Sequence, residues 1–434
     1  MKFGGTSVGT AERIKNVGKL ITREPGNLVV LSAMSGTTNS LVEIGNYLKC
    51  GNVETARECI GNLREKYSSV IDDLLETSEF KTQAKDVLSE VFSRIMGLCS
   101  GEFGENEEKI LVAQGEILST NLMTMHLQEK GVDALLLSAL DFMTLNDDGT
   151  IDAMNIRRQL LPLLEEHKDR QIFITQGFIC RDSKGRIDNL KRGGSDYTAS
   201  LIGAALNADE IEIWTDIDGM HNNDPRFVKN TRPVNELSFD EAAELAYFGA
   251  KILHPTCVLP AKMANIPVRL LNTMQPEAKG TLIHNRLQKG SIKAVAAKDG
   301  ITAIKIKSGR MLLAYGFLRK VFEIFEAYST PIDMVVTSEV GVSVTIDNDA
   351  RLDDIVRQLK KLGTVSVEKD MVIICVVGDL EWQNCGFESK ALAAFRDIPV
   401  RMISYGGSNF NISFLIDKKD KTRALKEVSA QLFD

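Results

Sequence analysis

The chain lacks the residue patterns that mark several classes of protein. Its seven cysteines are scattered without a Cys-x-x-Cys pair and its five histidines stand apart, so neither a disulfide framework nor a zinc site is indicated. It contains no apolar run of membrane length and no signal peptide. Lys and Arg number 52 against 59 Asp and Glu, and the net charge of -7 argues against a nucleic-acid-binding surface. We therefore expect a cytoplasmic protein with reduced thiols and no membrane or nucleic-acid partner.

What the chain does contain is enough apolar sequence for two or three domains, since 44% of its 434 residues are hydrophobic. As far as residue 285, short apolar runs alternate with helical patterns, which indicates an α/β domain with a mostly parallel sheet. The predicted strands span 28–33, 172–176, 211–215 and 267–271. The predicted helices span 11–22, 110–129 and 239–253, with 51–109 as a helical insertion. Ligands are expected beyond the carboxyl ends of such strands.

The pattern changes after residue 290 to short β-α-β-β units with predicted strands at 301–306, 334–337, 342–346 and 372–377. An internal repeat is visible there, because "GFLRKVFEIF" at 316–325 resembles "GFESKALAAF" at 386–395. The segments 334–347 and 402–417 also match at a similar offset. Strings this short can match by chance, but the order of elements repeats as well. The sequence therefore predicts two tandem α+β domains.

The glycine-rich segment "KFGGTSVG" at 2–9 is neither a Walker loop nor GxGxxG. Lys2 and Phe3 would form the end of the first strand, and a helix would begin at Thr10. Gly4 and Gly5 allow backbone N–H groups to approach a ligand, and the helix N-terminus favours anions. The segment can equally be a plain strand-to-helix turn, so phosphate binding is one of two interpretations at this point.

A second glycine turn, "LKRGGSDYTAS", spans 190–200. Ser195 is predicted as the N-cap of the following helix, which leaves Gly193, Gly194 and Asp196 at the mouth of the sheet. Arg192 is a fork-shaped donor suited to a carboxylate. An Asp in the first turn of a helix is also an ordinary partner of the helix dipole, so a purely structural role for Asp196 is a second interpretation.

Other polar residues lie at predicted element ends. Thr215 and Asp216 close the strand 211–215, Arg226 follows a proline, and Lys251 lies near the end of the helix 239–253. Glu116 lies on the apolar face of a helix and needs a partner, either a structural cation or a substrate ammonium. Lys251 can simply complement the helix dipole. Together these groups favour phosphoryl transfer, which depends on cations and N–H groups around phosphates.

The motifs "KFGGTSV", "GEILSTNL", "RGGSDYTA", "WTDIDG…DPR" and "FGAKILHP", in this order, resemble those of aspartate kinases. This family belongs to the amino acid kinase superfamily and carries two C-terminal ACT domains. The resemblance implies an amino acid kinase domain at 1–287, a mostly parallel sheet sandwiched by helices. It implies a regulatory region at 288–434 with two ferredoxin-like α+β ACT domains, about 295–365 plus the C-terminal segment and about 366–425. No segment resembles a fused homoserine dehydrogenase, so a monofunctional enzyme is expected.

The resemblance also implies roles for individual residues. Lys2 would contact the transferring phosphoryl group, and Asp196 would organise it electrostatically. Aspartate would be held by Ser32, Thr38, Glu116, Arg192 and Ser195. ATP would be held by Lys2, Gly4, Gly5, Thr215, Asp216, His221, Arg226 and Lys251, with Mg²⁺ carried by the ATP phosphates and no separate metal site. His221 stands where the family often has tyrosine. The implied reaction is attack of the aspartate β-carboxylate on the γ-phosphorus, which gives 4-phospho-L-aspartate for lysine, threonine and methionine biosynthesis.

The regulatory region resembles the effector-binding part of lysine-sensitive members. The residues that match this pattern are Met311, Gly316, Phe317, Leu318, Asp333, Thr337 and Ser338, while Ala314 replaces a more usual polar residue. Feedback inhibition by lysine is therefore implied, and edge-to-edge ACT pairing implies a homodimer or tetramer. Two alternatives remain: another amino acid kinase, and a catalytically silent ACT subunit that only senses an amino acid.

Overall fold

In a computed structural model, residues 1–24, 26–190, 193–249, 253–309, 311 and 315–433 are described. Their strands are β1 Lys2–Phe3, β2 Asn27–Leu31, β3 Ala134–Leu137, β4 Ile172–Gln176, β5 Ile179–Arg181, β6 Ile187–Asn189, β7 Ile211–Thr215, β8 Glu236–Ser238, β9 Val268–Asn272, β10 Thr281–His284, β11 Ile292–Lys307, β12 Val335–Ser338, β13 Gly341–Ile346, β14 Thr364–Gly378, β15 Val400–Tyr405 and β16 Asn411–Asp417. Their α-helices are α1 Ala11–Ile21, α2 Thr37–Lys49, α3 Val53–Leu74, α4 Ser78–Gly97, α5 Glu105–Glu129, α6 Ala153–Glu166, α7 Gly194–Leu206, α8 Phe239–Tyr247, α9 Leu259–Ala264, α10 Phe317–Ala327, α11 Leu352–Leu359, α12 Phe387–Ala393 and α13 Lys421–Phe433.

The chain divides into two compact units, each described by itself. The first unit comprises Met1–Met220 and Leu253–Asn285, and the second comprises His221–Ile252 and Arg286–Asp434. The predicted boundary at residue 287 assumed one continuous catalytic segment and stays a prediction. No described helix combines the length and apolarity needed to cross a membrane.

The sheet of the first unit runs in the order β3-β4-β2-β1-β7-β9-β10. Its strands are parallel from β3 to β9, and β10 returns antiparallel to β9. The two-residue β1 lies at the centre, where Phe3 is fully buried and stacks on Trp214. The strands are almost continuously apolar because helices cover both faces of such a sheet. The prediction of a mostly parallel α/β sheet is confirmed.

The helices α2 to α5 of the first unit pack on one another in sequence. α5 is buried around almost its whole circumference, and the predicted insertion consists of α3 and α4. α3 packs on α2 and α4, and α4 packs on α5, within one hydrophobic core that includes Tyr67. The insertion therefore belongs to the body of this unit.

The second unit contains a six-stranded antiparallel sheet in the order β12-β13-β11-β14-β16-β15. The long β11 and β14 run side by side, and their register shifts between Lys298 and Ala303. Two hydrophobic cores lie on it, one beneath α10 and α11 and the other beneath α12 and α13. α10 and α12 each follow a glycine with positive φ, Gly316 and Gly386. These paired features support the predicted duplication.

Two local predictions are wrong. The helix predicted over 239–253 ends at Tyr247, because Gly249 has φ of 119° and leaves the helical conformation. The capping box of Ser238 and Glu241 at its start is confirmed. Ser195 is not an N-cap, because α7 already begins at Gly194 and Gly193, with φ of 75°, takes the N-cap position.

Candidate active site

The glycine loop after β1 is pressed between the ends of two neighbouring strands. The Gly4 N–H donates to the Trp214 carbonyl at 3.2 Å, and the Ser35 N–H donates to the Gly5 carbonyl at 3.0 Å. A Cβ on Gly5 would lie 2.7 Å from the Ala33 carbonyl oxygen, so no side chain fits there. The Thr10 hydroxyl then accepts from the Arg13 N–H and caps α1. The sequence therefore folds here into a close turn followed directly by a helix.

Lys2 and Asp196 form an ion pair at the centre of this edge. The Lys2 Nζ lies 2.7 Å from Asp196 Oδ1, and both side chains are largely buried. A Cβ on Gly4 would lie 3.5 Å from the same Nζ, so the ammonium lies beside the glycine loop. β1 supplies the lysine and the first turn of α7 supplies the carboxylate. The arrangement holds a cation where backbone donors and a helix start also favour anions.

The start of α7 packs unusually closely on the end of β4. A Cβ on Gly177 would lie 2.4 Å from Ser195 Oγ, and a Cβ on Gly194 would lie 2.4 Å from the Phe178 ring. Phe178 has φ of 68°, a conformation that costs energy for a bulky residue. Its N–H donates to the Thr198 hydroxyl at 3.1 Å. These contacts bring the buried Ser195 to the same edge of the sheet as Asp196.

Glu116 is buried on α5 with one carboxylate oxygen free of any partner in the described structure. Its Oε1 accepts from the Ala33 N–H at 3.1 Å, while Oε2 is buried without a hydrogen bond. Burial raises the pKa of this carboxyl to about 7, against the opposing effects of that N–H and of the Lys2 charge. A buried acceptor without a donor is costly, so a bound cation would satisfy it.

Ser32 and Thr38 lie on the segment that connects β2 to α2. The Ser32 N–H donates to the Phe3 carbonyl at 3.2 Å, and the Ser32 carbonyl accepts from the Ser119 hydroxyl at 2.8 Å. Thr38 is half-buried in the first turn of α2. The structure thus joins the predicted Ser32, through its neighbour Ala33, to Glu116 and to the end of β1.

On the other side of β1, Thr215 and Asp216 follow β7. The Thr215 hydroxyl donates to Asp216 Oδ1 at 3.1 Å, and the Thr215 carbonyl accepts from the Thr273 N–H at 2.8 Å. The Thr273 and Ser7 hydroxyls are 2.7 Å apart, which links the glycine loop to the end of β9. The sequence analysis missed Ser7 and Thr273, although Ser7 lies within the glycine-rich segment 2–9 and Thr273 lies two residues after the predicted strand 267–271.

Two further predicted nucleotide ligands, His221 and Arg226, belong to the second unit. His221 Nδ1 lies 3.0 Å from the Thr231 hydroxyl, and the exposed Arg226 donates to both carboxylate oxygens of Asp224. Arg192 and Lys251 lie outside the described residues, as does Ala314.

The predicted effector residues occupy different environments in the second unit. Phe317 is part of the core beneath α10, and Thr337 and Ser338 are exposed on the edge strand β12. Met311 is half-buried, while Gly316 and Leu318 are exposed. Asp333 is almost fully buried, and its Oδ1 accepts from Lys298 Nζ at 2.6 Å and from the Tyr247 hydroxyl at 2.8 Å. The sequence analysis did not predict this buried ion pair between Lys298 and Asp333.

A central glycine loop with its lysine and carboxylate, at the carboxyl edge of a parallel sheet, defines a phosphate-handling α/β enzyme. The model of the amino acid kinase family matches residues 1–272, and an ACT domain model matches residues 374–432. Lysine-sensitive aspartokinase 3 of Escherichia coli is 32% identical to this chain, and the match covers 100% of this chain and 98% of the E. coli protein. Aspartokinase 1 of Arabidopsis thaliana, a chloroplastic protein, is 35% identical to this chain. The match covers 100% of this chain and 80% of the Arabidopsis protein.

Solved structures agree with the sequence matches. The structure of E. coli aspartokinase III in complex with aspartate and ADP (R-state) has a TM-score of 0.84 at 32% identity, covering 100% of this chain and 99% of that one. The structure of the same enzyme with lysine and aspartate (T-state) has a TM-score of 0.81 with the same coverage. The chain belongs to the aspartokinase family, as its motifs predicted.

Proposed function

We propose that the chain transfers the γ-phosphoryl group of ATP to the β-carboxylate of L-aspartate, which gives 4-phospho-L-aspartate. The observation that carries this proposal is the Lys2–Asp196 ion pair on the glycine loop, at the edge where Glu116 leaves a buried oxygen unpaired. E. coli aspartokinase III, which this chain matches over its full length, binds aspartate and ADP. The acceptor carboxylate is ionised at neutral pH, so the reaction needs no protein base.

Each group has a task in this scheme. Lys2 neutralises charge on the phosphoryl group as it moves, and the glycine-loop N–H groups hold the phosphates. Glu116 receives the α-ammonium of aspartate, while Ser32, Thr38 and Ser195 donate to its carboxylates. Thr215 and Asp216 contribute to the nucleotide side. Mg²⁺ would be carried by the ATP phosphates and would neutralise part of their charge. Arg192, His221, Arg226 and Lys251 are proposed ligands on the resemblance alone.

Trapping with hydroxylamine tests the reaction directly. ATP, Mg²⁺, aspartate and hydroxylamine should give aspartyl hydroxamate at a rate that depends on each component. A parallel reaction with glutamate should give none. Hydroxamate formed from glutamate but not from aspartate would indicate a different amino acid kinase. If neither amino acid gives a product, the remaining interpretation is a catalytically silent subunit that senses an amino acid.

The Michaelis constant for aspartate should depend on pH through Glu116. Burial raises its pKa to about 7, so the carboxyl is increasingly protonated as the pH falls below 7. Only the ionised form can pair with the substrate ammonium, whose own charge is constant in this range. We expect the KM for aspartate to rise about fivefold between pH 7 and pH 6, approaching tenfold per pH unit at lower pH, while the KM for ATP changes less. A flat aspartate profile between pH 6 and 8 would contradict this assignment.

We propose lysine as the feedback inhibitor, supported by the family relative that is lysine-sensitive and by the lysine complex of E. coli aspartokinase III. Lys298 and Tyr247 both donate to Asp333 Oδ1, while Asp333 Oδ2 is buried without a hydrogen bond from the described residues, so Oδ2 is the atom that would receive an effector ammonium. Lysine should lower the hydroxamate rate at millimolar concentration and threonine alone should not. Inhibition by threonine with no effect of lysine would reverse the assignment.

We propose that a second copy of the chain pairs along β12. This strand lies at the edge of its sheet, and all four of its residues are exposed, including Val335 and Val336. An exposed edge with unpaired backbone groups is suited to extension by another strand. Sedimentation equilibrium should give a dimer or tetramer. The substitution Val336→Lys should weaken the association, and a monomeric wild-type chain at micromolar concentration would contradict it.

A further inference from the structure

Two consecutive residues of the helical insertion contact the turn that leads into α2. Lys66 Nζ donates to the Ser35 carbonyl at 2.9 Å, and the Tyr67 hydroxyl lies 3.0 Å from the Thr37 hydroxyl. Both residues lie on α3, 31 and 30 residues from their respective partners in sequence. The insertion therefore reaches the segment that carries Ser32 and Thr38.

The Tyr67–Thr37 pair is sealed from solvent. Tyr67 and Thr37 are both fully buried. Burial raises the pKa of Tyr67 well above its usual range, and the nearby Glu116 carboxylate adds to the shift. The hydroxyl therefore stays protonated and can pair with Thr37, and loss of either partner would leave a buried polar group unsatisfied.

The turn is clamped from three directions. Ser35 donates its N–H to the glycine loop, Ala33 donates its N–H to Glu116, and α3 holds Ser35 and Thr37 from the third side. The helix α5 also packs closely on this turn, because a Cβ on Gly115 would lie 3.2 Å from the Thr37 side chain. Tyr67 belongs to one hydrophobic core with apolar side chains of α3, α4 and α5, including Ile71, Leu88, Leu118 and Leu122.

We propose that Tyr67, assisted by Lys66, is a positioning residue for the phosphoryl acceptor. It sets the start of α2, and with it Thr38 and the Ala33 N–H that orients Glu116. This inference rests on the proposed function of Ser32, Thr38 and Glu116 as the aspartate site. The contacts of Tyr67 lie on the β2 side of β1, whereas Thr215 follows β7 on the other side. Its effect should therefore fall on aspartate and not on ATP.

The test compares Tyr67→Phe with the wild-type full chain in steady-state kinetics. The substitution removes one oxygen and leaves Thr37 unpaired, so we expect the KM for aspartate to rise roughly tenfold. The KM for ATP should change less than about twofold, and kcat at saturating aspartate should be largely kept. Tyr47→Phe is the matched control, because its exposed hydroxyl on α2 donates to Glu43 at 3.3 Å, and its kinetics should equal the wild type.

The variants Thr37→Val and Tyr67→Phe/Thr37→Val distinguish positioning from a purely structural role. If the hydrogen bond positions aspartate, the double variant should keep an aspartate KM about as high as either single variant. Lys66→Met should give a smaller rise of the same kind. The proposal is overturned if Tyr67→Phe matches the wild type. It is also overturned if both KM values and the melting temperature shift together and the double variant restores them.

A binding measurement separates this inference from the proposed function. Isothermal titration with L-aspartate alone should give a dissociation constant raised in Tyr67→Phe by the same factor as the KM. If the wild type binds aspartate but forms no hydroxamate, the proposed reaction is wrong. The positioning role is then still decided by comparing the dissociation constants of the wild type and Tyr67→Phe. If wild type and variant bind aspartate equally, the positioning role is wrong whatever the reaction.

Discussion

Lys2→Met should lower kcat by roughly 100- to 1,000-fold, which is the effect of losing one preorganised donor at a site where charge develops. The Lys2 ammonium is held 2.7 Å from Asp196 beside the glycine loop, so its position is fixed before substrates bind. Because the charge acts mainly on the transition state, the KM values for ATP and aspartate should change less than kcat.

The controls for this prediction exclude a folding defect. Lys19→Met removes an exposed lysine from α1 and should leave the rate unchanged. Lys2→Met leaves the largely buried Asp196 without its cation, so some loss of thermal stability is expected. The double variant Lys2→Met/Asp196→Asn removes that unpaired charge and should regain stability without regaining activity. Wild-type turnover in Lys2→Met would remove Lys2 from the mechanism.

Glu116→Gln should raise the KM for aspartate on the order of 100-fold, since truncating one member of a buried charge pair costs several kcal/mol. Glutamine can still accept from the Ala33 N–H, so the local structure should persist. The negative charge that would receive the substrate ammonium is lost. The rise in aspartate KM below pH 7 should disappear in this variant, because the titrating group is gone.

Glu108→Gln on the same helix is the matched control for Glu116→Gln. Glu108 pairs with Lys49 at the surface, and its loss should leave the aspartate KM within about twofold of the wild type. Michaelis constants for both substrates between pH 6 and 8 are the measurement required. If the aspartate KM of Glu116→Gln is close to the wild-type value, a group other than Glu116 binds the substrate ammonium.

The local sequence was sufficient for the strands that position the site. The predicted strands 172–176 and 211–215 match β4 and β7 to the residue, because each apolar run is bounded by polar or small residues. The helix beginning at Phe239 was predicted too long, since the apolar periodicity continues past Tyr247 while the φ of 119° at Gly249 is not helical. Helix ends therefore depend on single backbone angles that hydrophobic periodicity does not report.

The pairings within the site depended on the family resemblance or were missed. Lys2 and Asp196 are 194 positions apart, and only the family pattern joined them before the structure placed them in contact. Tyr67 and Thr37, and likewise Lys298 and Asp333, meet through the docking of separate elements. No local pattern encodes such contacts, because they follow from how helices pack on a sheet.

A crystal structure of the full chain with aspartate and a non-hydrolysable ATP analogue tests the central claim most directly. The account predicts the γ-phosphate within about 3 Å of Lys2 Nζ, and the aspartate ammonium within about 3 Å of Glu116 Oε2. The β-carboxylate should face the γ-phosphorus between them. A γ-phosphate bound elsewhere, with the Lys2–Asp196 pair undisturbed and Glu116 Oε2 still unpaired, would contradict it.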